Sequence, residues 1–309
     1  MTKNTKTQEQ PGHDTLRARL AAYLEQNKRV SLTAAARSMG LAGSALSRWS
    51  HGKYEGNNEK IAQAVAVFLD REDERGRILH EGGVPFITTA VSKSVFGAAR
   101  KAHLTRSMGL LVGPSGVGKT RSIKEYARRY PDAILIECNV FAKAREVVTD
   151  IHRAVGGSGT GSDNQMLSDI VERLRGSGRL LIIDEAESLR ARTLDGIRRI
   201  HDFAEIGVLY VGLDKFYHQL RKLNVDYEYV VNRIRTFTRL GRLDIDDTQA
   251  LASTILPDAK QIAEELHDAS HGVARVLLDL CREVAAMSRV NEIEINAEMV
   301  RQAAEERGV

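Results

Sequence analysis

An ammonium and a hydroxyl stand side by side at Lys119 and Thr120, and two carboxylates at Asp184 and Glu185. Lys119 and Thr120 close the stretch Gly-Pro-Ser-Gly-Val-Gly-Lys-Thr over residues 113–120, which fulfils the spacing G-x-x-x-x-G-K-[ST]. In a loop of that spacing the glycines turn the main chain tightly and let it approach phosphate oxygens. Gly113, Pro114, Ser115, Gly116, Val117 and Gly118 are therefore expected to cradle a nucleoside triphosphate, ATP in this reading. Lys119 would reach its β- and γ-phosphates, and the Thr120 hydroxyl would ligate Mg²⁺. Asp184 and Glu185 end the apolar run Leu-Leu-Ile-Ile of residues 180–183. A carboxylate there can hold Mg²⁺ directly or through water, and its neighbour Glu185 can polarise an attacking water. Glu187 reads as a helix-start acid.

These groups need elements to hold them. Residues 108–112 are apolar and predict a buried strand before the loop, and residues 120–129 carry a helical pattern after it. Four apolar residues in a row before Asp184 suit a central parallel strand covered on both faces. Asp184 then falls at the carboxyl end of that strand, where open parallel sheets bind ligands. Residues 134–138 and 207–212 read as further strands, so that strand and helix alternate from about 86 to 240. From about 241 to 309 the pattern is helical, with residues 293–295 as one short strand-like exception.

Outside this core the chain divides by composition. Residues 1–13 read as a disordered arm and 14–70 as several short helices. The charged run of residues 71–77 and Glu-Gly-Gly-Val-Pro at 81–85 read as a linker over 71–85. Within 14–70, residues 32–49 fit a helix-turn-helix. Ala35, Ala36 and Met39 face inward on a first helix, and Gly40 supplies a left-handed turn. Leu46 and Trp49 anchor a second helix. Ser44, Ser47, Arg48 and His51 remain outward, a small, polar and basic face of the kind that enters a major groove. Arg48 and Lys53 are candidate DNA contacts; a small helical domain for protein contacts is the competing reading.

The 309 residues carry a net charge of +4 and a pI near 9.0. Residues 1–53 hold nine Lys/Arg against three acids, and a basic head of this kind points to a nucleic-acid partner. No apolar run approaches a membrane span and no signal peptide is visible, so a cytoplasmic protein without a membrane partner is expected. Cys138 and Cys281 are too few for a disulfide framework or a zinc site.

Three further positions draw attention. Asp214 follows the strand of residues 207–212, where a polar side chain could sense the γ-phosphate, although Leu213 precedes it. Arg233 and Arg235 lie in Val-Asn-Arg-Ile-Arg of residues 231–235, read here as helical. One of them could stabilise charge on a neighbouring subunit's nucleotide, with solvated surface arginines as the alternative. Arg275, in the first turn of a predicted helix after Gly272, could reach the nucleotide from a lid or stand on the surface.

The phosphate loop, the Asp-Glu strand end, the strand exit, the Asn-Arg-Ile segment and the Gly-x-x-Arg helix, in this order, resemble an AAA+ ATPase. With the N-terminal helix-turn-helix, the chain from about 14 to 305 resembles the phage Mu-type transposition B family. Residues 52–60, the loop at 113–120 and the stretch 181–189 carry this likeness. The resemblance implies an α/β AAA+ P-loop core with a parallel sheet, an all-α C-terminal lid and an all-α N-terminal domain. It implies a DNA-stimulated, Mg²⁺-dependent ATPase that self-associates into an ATP-dependent helical filament or ring on duplex DNA. It would recruit a DDE transposase of the Mu-like kind, in the cytoplasm of a bacterial host. Lys143, Arg145, Arg190 and Arg192 would hold DNA phosphates in that assembly, unless they are solvated surface charges. Leu213 departs from the family pattern and leaves the sensing role of Asp214 open. A transcription regulator with an ATPase switch, and a helicase loader or replication initiator, are the rival readings.

Overall fold

A computed structural model describes residues 12–27, 30–79, 84–139, 141, 143–222, 228–257 and 259–308. Residues 1–11 of the expected arm lie outside the described residues. The chain separates into two compact units, 1–83 and 84–309.

The first unit contains α1 (His13–Gln26), α2 (Leu32–Ser38), α3 (Gly43–Ser50) and α4 (Asn58–Leu79). Ser31 starts α2 by accepting the Ala34 N–H on its hydroxyl at 3.1 Å, satisfying a donor that the first turn leaves open. Gly40, at φ 69°, turns the chain from α2 toward α3. Leu46 and Trp49 are fully buried on one face of α3, against Leu16, Leu20, Ala36, Val65 and Phe68. Arg17 Nε donates to the Trp49 carbonyl at 2.8 Å, and its guanidinium lies 5.0 Å above the indole.

The charged run of residues 71–77, read from sequence as linker, lies within α4. Its Asp73, with Asp70 just before the run, serves a packed helix: Arg19 on α1 donates to Asp73 at 2.7 Å and to Asp70 at 3.0 Å. A charge-rich stretch without proline can continue a helix when one face is tied to a neighbour.

The second unit opens with α5 (Ala90–Thr105) and β1 (Met108–Val112), followed by α6 (Lys119–Arg129), β2 (Ala133–Glu137), α7 (Ala144–Ala154) and α8 (Asp163–Leu174). Then come β3 (Leu180–Asp184), α9 (Ala191–Ala204), β4 (Gly207–Gly212), α10 (Asp214–Lys222), α11 (Glu228–Val231) and β5 (Ile234–Arg239). The strands form one parallel sheet in the order β2-β3-β4-β1-β5. Every residue of β1, β3 and β4 is buried, as near-continuous apolar strands between two helical layers must be. One face of the sheet packs with α5 and α6, the other with α7, α8 and α9, in two separate cores.

Residues 234 and 235, read from sequence as helix, begin β5 instead. Ile234, Thr236, Phe237 and Thr238 are β-branched or aromatic and suit a sheet edge, where β5 pairs with β1. The remainder is helical: α12 (Ile245–Ala252), α13 (Ala263–Ser270), α14 (Ala274–Asn291) and α15 (Ala297–Arg307). Residues 293–295 form no strand but join α14 to α15. Leu266, Leu277, Leu280 and Val284 extend the core beside α5 and α6 into this helical region. Among the described residues, no helix is long and apolar enough to cross a membrane.

Candidate nucleotide-binding site

The sheet order sets β3, β4 and β1 side by side, so their carboxyl ends deliver Asp184, Leu213 and Gly113 to one place. The loop after β1 enters α6 through Gly116 at φ 77° and Gly118 at φ 103°, conformations that side chains resist. A Cβ on Gly116 would also stand 2.8 Å from Val273 Cγ1. The lid closes on the loop there: the Arg275 N–H donates to the Gly116 carbonyl at 3.1 Å. Sequence spacing makes Arg275 a candidate to reach the nucleotide or an ordinary surface arginine; the main-chain contact between its turn and the loop carries no sequence signal.

Lys119 is only 8% exposed. Its Nζ donates to the carbonyls of Gly113 at 2.9 Å and Pro114 at 2.7 Å. Burial lowers the pKa of its ammonium, while Glu187, Asp184 and Asp214 act against that shift. Thr120 Oγ1 donates to Asp184 Oδ2 at 2.7 Å, and the Glu185 N–H to Asp184 Oδ1 at 2.9 Å. The Asp184 carboxyl lies above its usual range because burial outweighs these two donors. Glu185 takes a left-handed conformation, φ 53°, and its exposed carboxyl is also raised, by partial desolvation and then by Asp184, Glu187 and Glu137.

Glu187 does more than start a helix. It sits in a short 3₁₀ turn, Ala186–Ser188, and its Oε2 accepts the Leu213 N–H at 3.2 Å. The exits of β3 and β4 are thereby tied together. Gly212 permits the approach, since a Cβ there would meet Glu187 Oε2 at 2.6 Å. Asp214 faces Arg239 Nε on β5 at 2.9 Å. The cleft beside this strand exit is lined by Gly212, Leu213 and Lys215. It encloses about 720 Å³ between the phosphate loop, Asp184, Glu185, Glu187 and the Arg275 turn. Glu187, a helix-start acid by sequence, and Lys215 have no site in the sequence reading, because only the neighbouring strand ends give them one.

Arg233 stands just before β5, where its Nε lies 3.0 and 3.1 Å from the two carboxylate oxygens of Asp202 on α9. Arg198 also donates to Asp202, at 2.6 Å. Arg235 is exposed on β5. Lys143, Arg145, Arg190 and Arg192 are exposed as well. Arg145 and Arg192, from the first turns of α7 and α9, share the carboxylate of Asp163 at 2.7 and 3.5 Å. In the first unit Ser44, Arg48 and Lys53 are exposed and Ser47 is half-buried. Arg48 Nε lies 3.4 Å from the Ser44 carbonyl, and the His51 ring lies 2.7 Å from that of Ser47.

A parallel sheet with a phosphate loop after β1, paired acids after β3 and a helical region against the loop is the architecture of a P-loop nucleotide-binding domain. The AAA domain family matches residues 102–220. The ORC2 protein of Aeropyrum pernix shares the fold at a TM-score of 0.57 and 16% identity, over 74% of this chain and 71% of that one. Over most of its length the chain is similar to phage transposition proteins. It is 27% identical to the ATP-dependent target DNA activator B of Escherichia phage Mu over 294 residues, 93% of both chains. It is 28% identical to the Mu-like prophage FluMu DNA transposition protein B of Haemophilus influenzae over 243 residues, 77% of this chain and 84% of the relative.

Proposed function

We propose that this chain is an ATP-dependent activator of target DNA for transposition, which binds duplex DNA and presents it to a DDE transposase. The single observation that carries this reading is the likeness to the phage Mu activator over 93% of both chains, joined to a cleft that gathers the phosphate loop, Asp184 and Glu185.

Each chemical task has a residue. Lys119 neutralises phosphate charge once its Nζ leaves the loop carbonyls. Thr120 Oγ1 and Asp184 Oδ2, 2.7 Å apart, offer two hard oxygens to Mg²⁺. That pair is too few for an all-protein cage, and suits an ion that keeps waters and phosphate oxygens. When bound, the ion supplies charge to the phosphates. Glu185 stands clear of the Thr120–Asp184 pair and orients the attacking water; Arg275 enters from the lid. Arg233 serves a neighbouring subunit's nucleotide after leaving Asp202. Assembly then depends on ATP, because the ligand binds the assembled form preferentially.

DNA is held through its phosphates by Lys143, Arg145, Arg190 and Arg192, and by Ser44, Ser47, Arg48 and Lys53 of the first unit. Such binding is largely sequence-tolerant and salt-dependent. The work takes place in a bacterial cytoplasm.

Electron microscopy with duplex DNA is the test. With ATP and Mg²⁺, continuous filaments or rings should coat the duplex, and with ADP they should be absent; isolated particles on one preferred sequence would sink the reading. An Arg233→Ala chain should bind ATP yet fail to assemble, and normal assembly by it would place the shared arginine elsewhere.

A further inference from the structure

We propose that Asp247 is a positioning residue of the nucleotide site. It pins the start of α12 to the start of α5, and so sets the angle at which the helical region presents Arg275 to the phosphate loop. The proposal rests on the ATPase reading above and deepens it.

α5 begins with a reciprocal cap. The Thr89 N–H donates to Ser92 Oγ at 2.8 Å, and the Ser92 N–H to Thr89 Oγ1 at 3.0 Å. The Ala90 N–H is a further donor that a first helical turn leaves open. It is taken from 157 residues away in sequence: Asp247 Oδ2 accepts it at 2.8 Å. A bond from a carboxylate to a helix-start N–H is charge-assisted and directional. Asp247 is buried, so water does not compete for it. The apolar core around it joins Leu251 and Ala252 of α12 to Val91 and Val95 of α5. Such packing favours contact without fixing an angle.

From Asp247 a short run of bonds leads to the cleft. Its own N–H donates to Asp244 Oδ1 at 2.7 Å, the cap that starts α12. Immediately before, the Leu243 N–H donates to the Gly272 carbonyl and Arg242 Nη1 to the His271 carbonyl, both at 2.9 Å. Gly272, at φ 65°, admits this approach, because a Cβ there would stand 2.7 Å from the Leu243 oxygen. Three residues on, the Arg275 N–H meets the Gly116 carbonyl of the loop. Directional bonds thus hold the helical region to the core at α5 and at the loop. Releasing the first lets the helical region tilt on its apolar packing and carries Arg275 away from the loop.

The experiment assays the full chain for ATP hydrolysis with Mg²⁺ and duplex DNA, and follows hydrogen exchange at the Arg275 turn and in β1 and β3. Asp247→Ala should lower kcat/KM about ten-fold, in the same direction as Arg275→Ala. The double variant should lie within about two-fold of Arg275→Ala alone, since a displaced helical region then has no Arg275 side chain left to misplace. Asp247→Asn keeps an acceptor and should stay within about three-fold of wild type. Ala90→Pro breaks the same bond from the core side. It falls at a helix position that accepts proline, after an already extended Thr89, and should match Asp247→Ala. In both variants the Arg275 turn should exchange faster while β1 and β3 keep their protection. Wild-type kcat/KM in both Asp247→Ala and Ala90→Pro would overturn the proposal, and so would losses that multiply in the double variant. Exchange that quickens equally in β1 and β3 would reduce Asp247 to a cap of the fold and overturn it as well. Absence of ATP hydrolysis by wild-type protein would instead remove the ATPase reading beneath it.

Discussion

The nucleotide cleft and the outward face of α3 are built in opposite ways. In the cleft the principal polar groups already have partners: Lys119 on loop carbonyls, Thr120 on Asp184, Glu187 on Leu213. On α3 the candidate contacts Arg48 and Lys53 are exposed, and the structure around them is apolar packing beneath. A cleft that must place a few atoms of one ligand is fixed by its own hydrogen bonds before the ligand arrives. A surface that meets a uniform polyanion needs charge and a firm backing, not a fixed constellation.

That contrast can be broken by substitution, and the largest effect is expected at Glu185. Glu185→Gln should leave ATP binding near normal and slow turnover by roughly 10²–10⁴-fold, because a positioned base is worth that much. Measured hydrolysis at the wild-type rate would remove the role. Lys119→Ala should come next, weakening nucleotide binding by at least about 100-fold through loss of charge-assisted contacts. Titration with a fluorescent nucleotide checks this, and tight binding by the variant would mean that the loop's main chain suffices.

On the other side of the comparison, Arg48→Ala should lower DNA affinity by about ten-fold and reduce the slope of log affinity against log salt by about one. Nucleotide binding should be untouched. A change confined to one DNA sequence would instead show base reading by Arg48.

The smallest effect is expected at Glu125, the one acid of α6, which pairs with Arg128 and Arg129. Arg128 and then Arg129 hold the half-buried Glu125 carboxyl down to about 2, against an ordinary 4.5. Its stabilising contribution is present above pH 4.5 and declines as the pH falls toward about 2. Glu125→Gln should therefore lower stability slightly at neutral pH, leave it unchanged below about pH 2, and so flatten the acid limb of a stability–pH curve. A steep loss at neutral pH would contradict a surface role.

The same contrast governs what the sequence disclosed. The phosphate loop, its strand and its helix were legible because that chemistry fixes residue types at fixed offsets along one stretch. Residues 108–112 were read as a strand and form one, and the paired acids fall at the end of β3. Glu187 and the Arg275 main-chain contact were not legible, since each takes meaning from a segment distant in sequence. The charge run at 71–77 reads as linker because composition alone cannot reveal that Arg19 on another helix pairs with its Asp73. At 234–235 the arginines that flank Ile234 mask the alternation of Ile234, Thr236 and Thr238 that makes β5. Helix-turn-helix spacing is degenerate, and the face of α3 stays a proposal for that reason.

The bond between Glu187 and the Leu213 N–H bears on how this site can drift. Position 213 carries an apolar side chain, yet its main chain ties the end of β4 to the turn after β3. A task done by a backbone N–H is indifferent to the side chain above it, proline excepted. Leucine is therefore one of many residues that position 213 can carry while the bond persists. The constraint has moved to Gly212, whose bare Cα is what lets the carboxylate approach. Mutational tolerance at this strand exit should run opposite to expectation, permissive at 213 and intolerant one residue earlier.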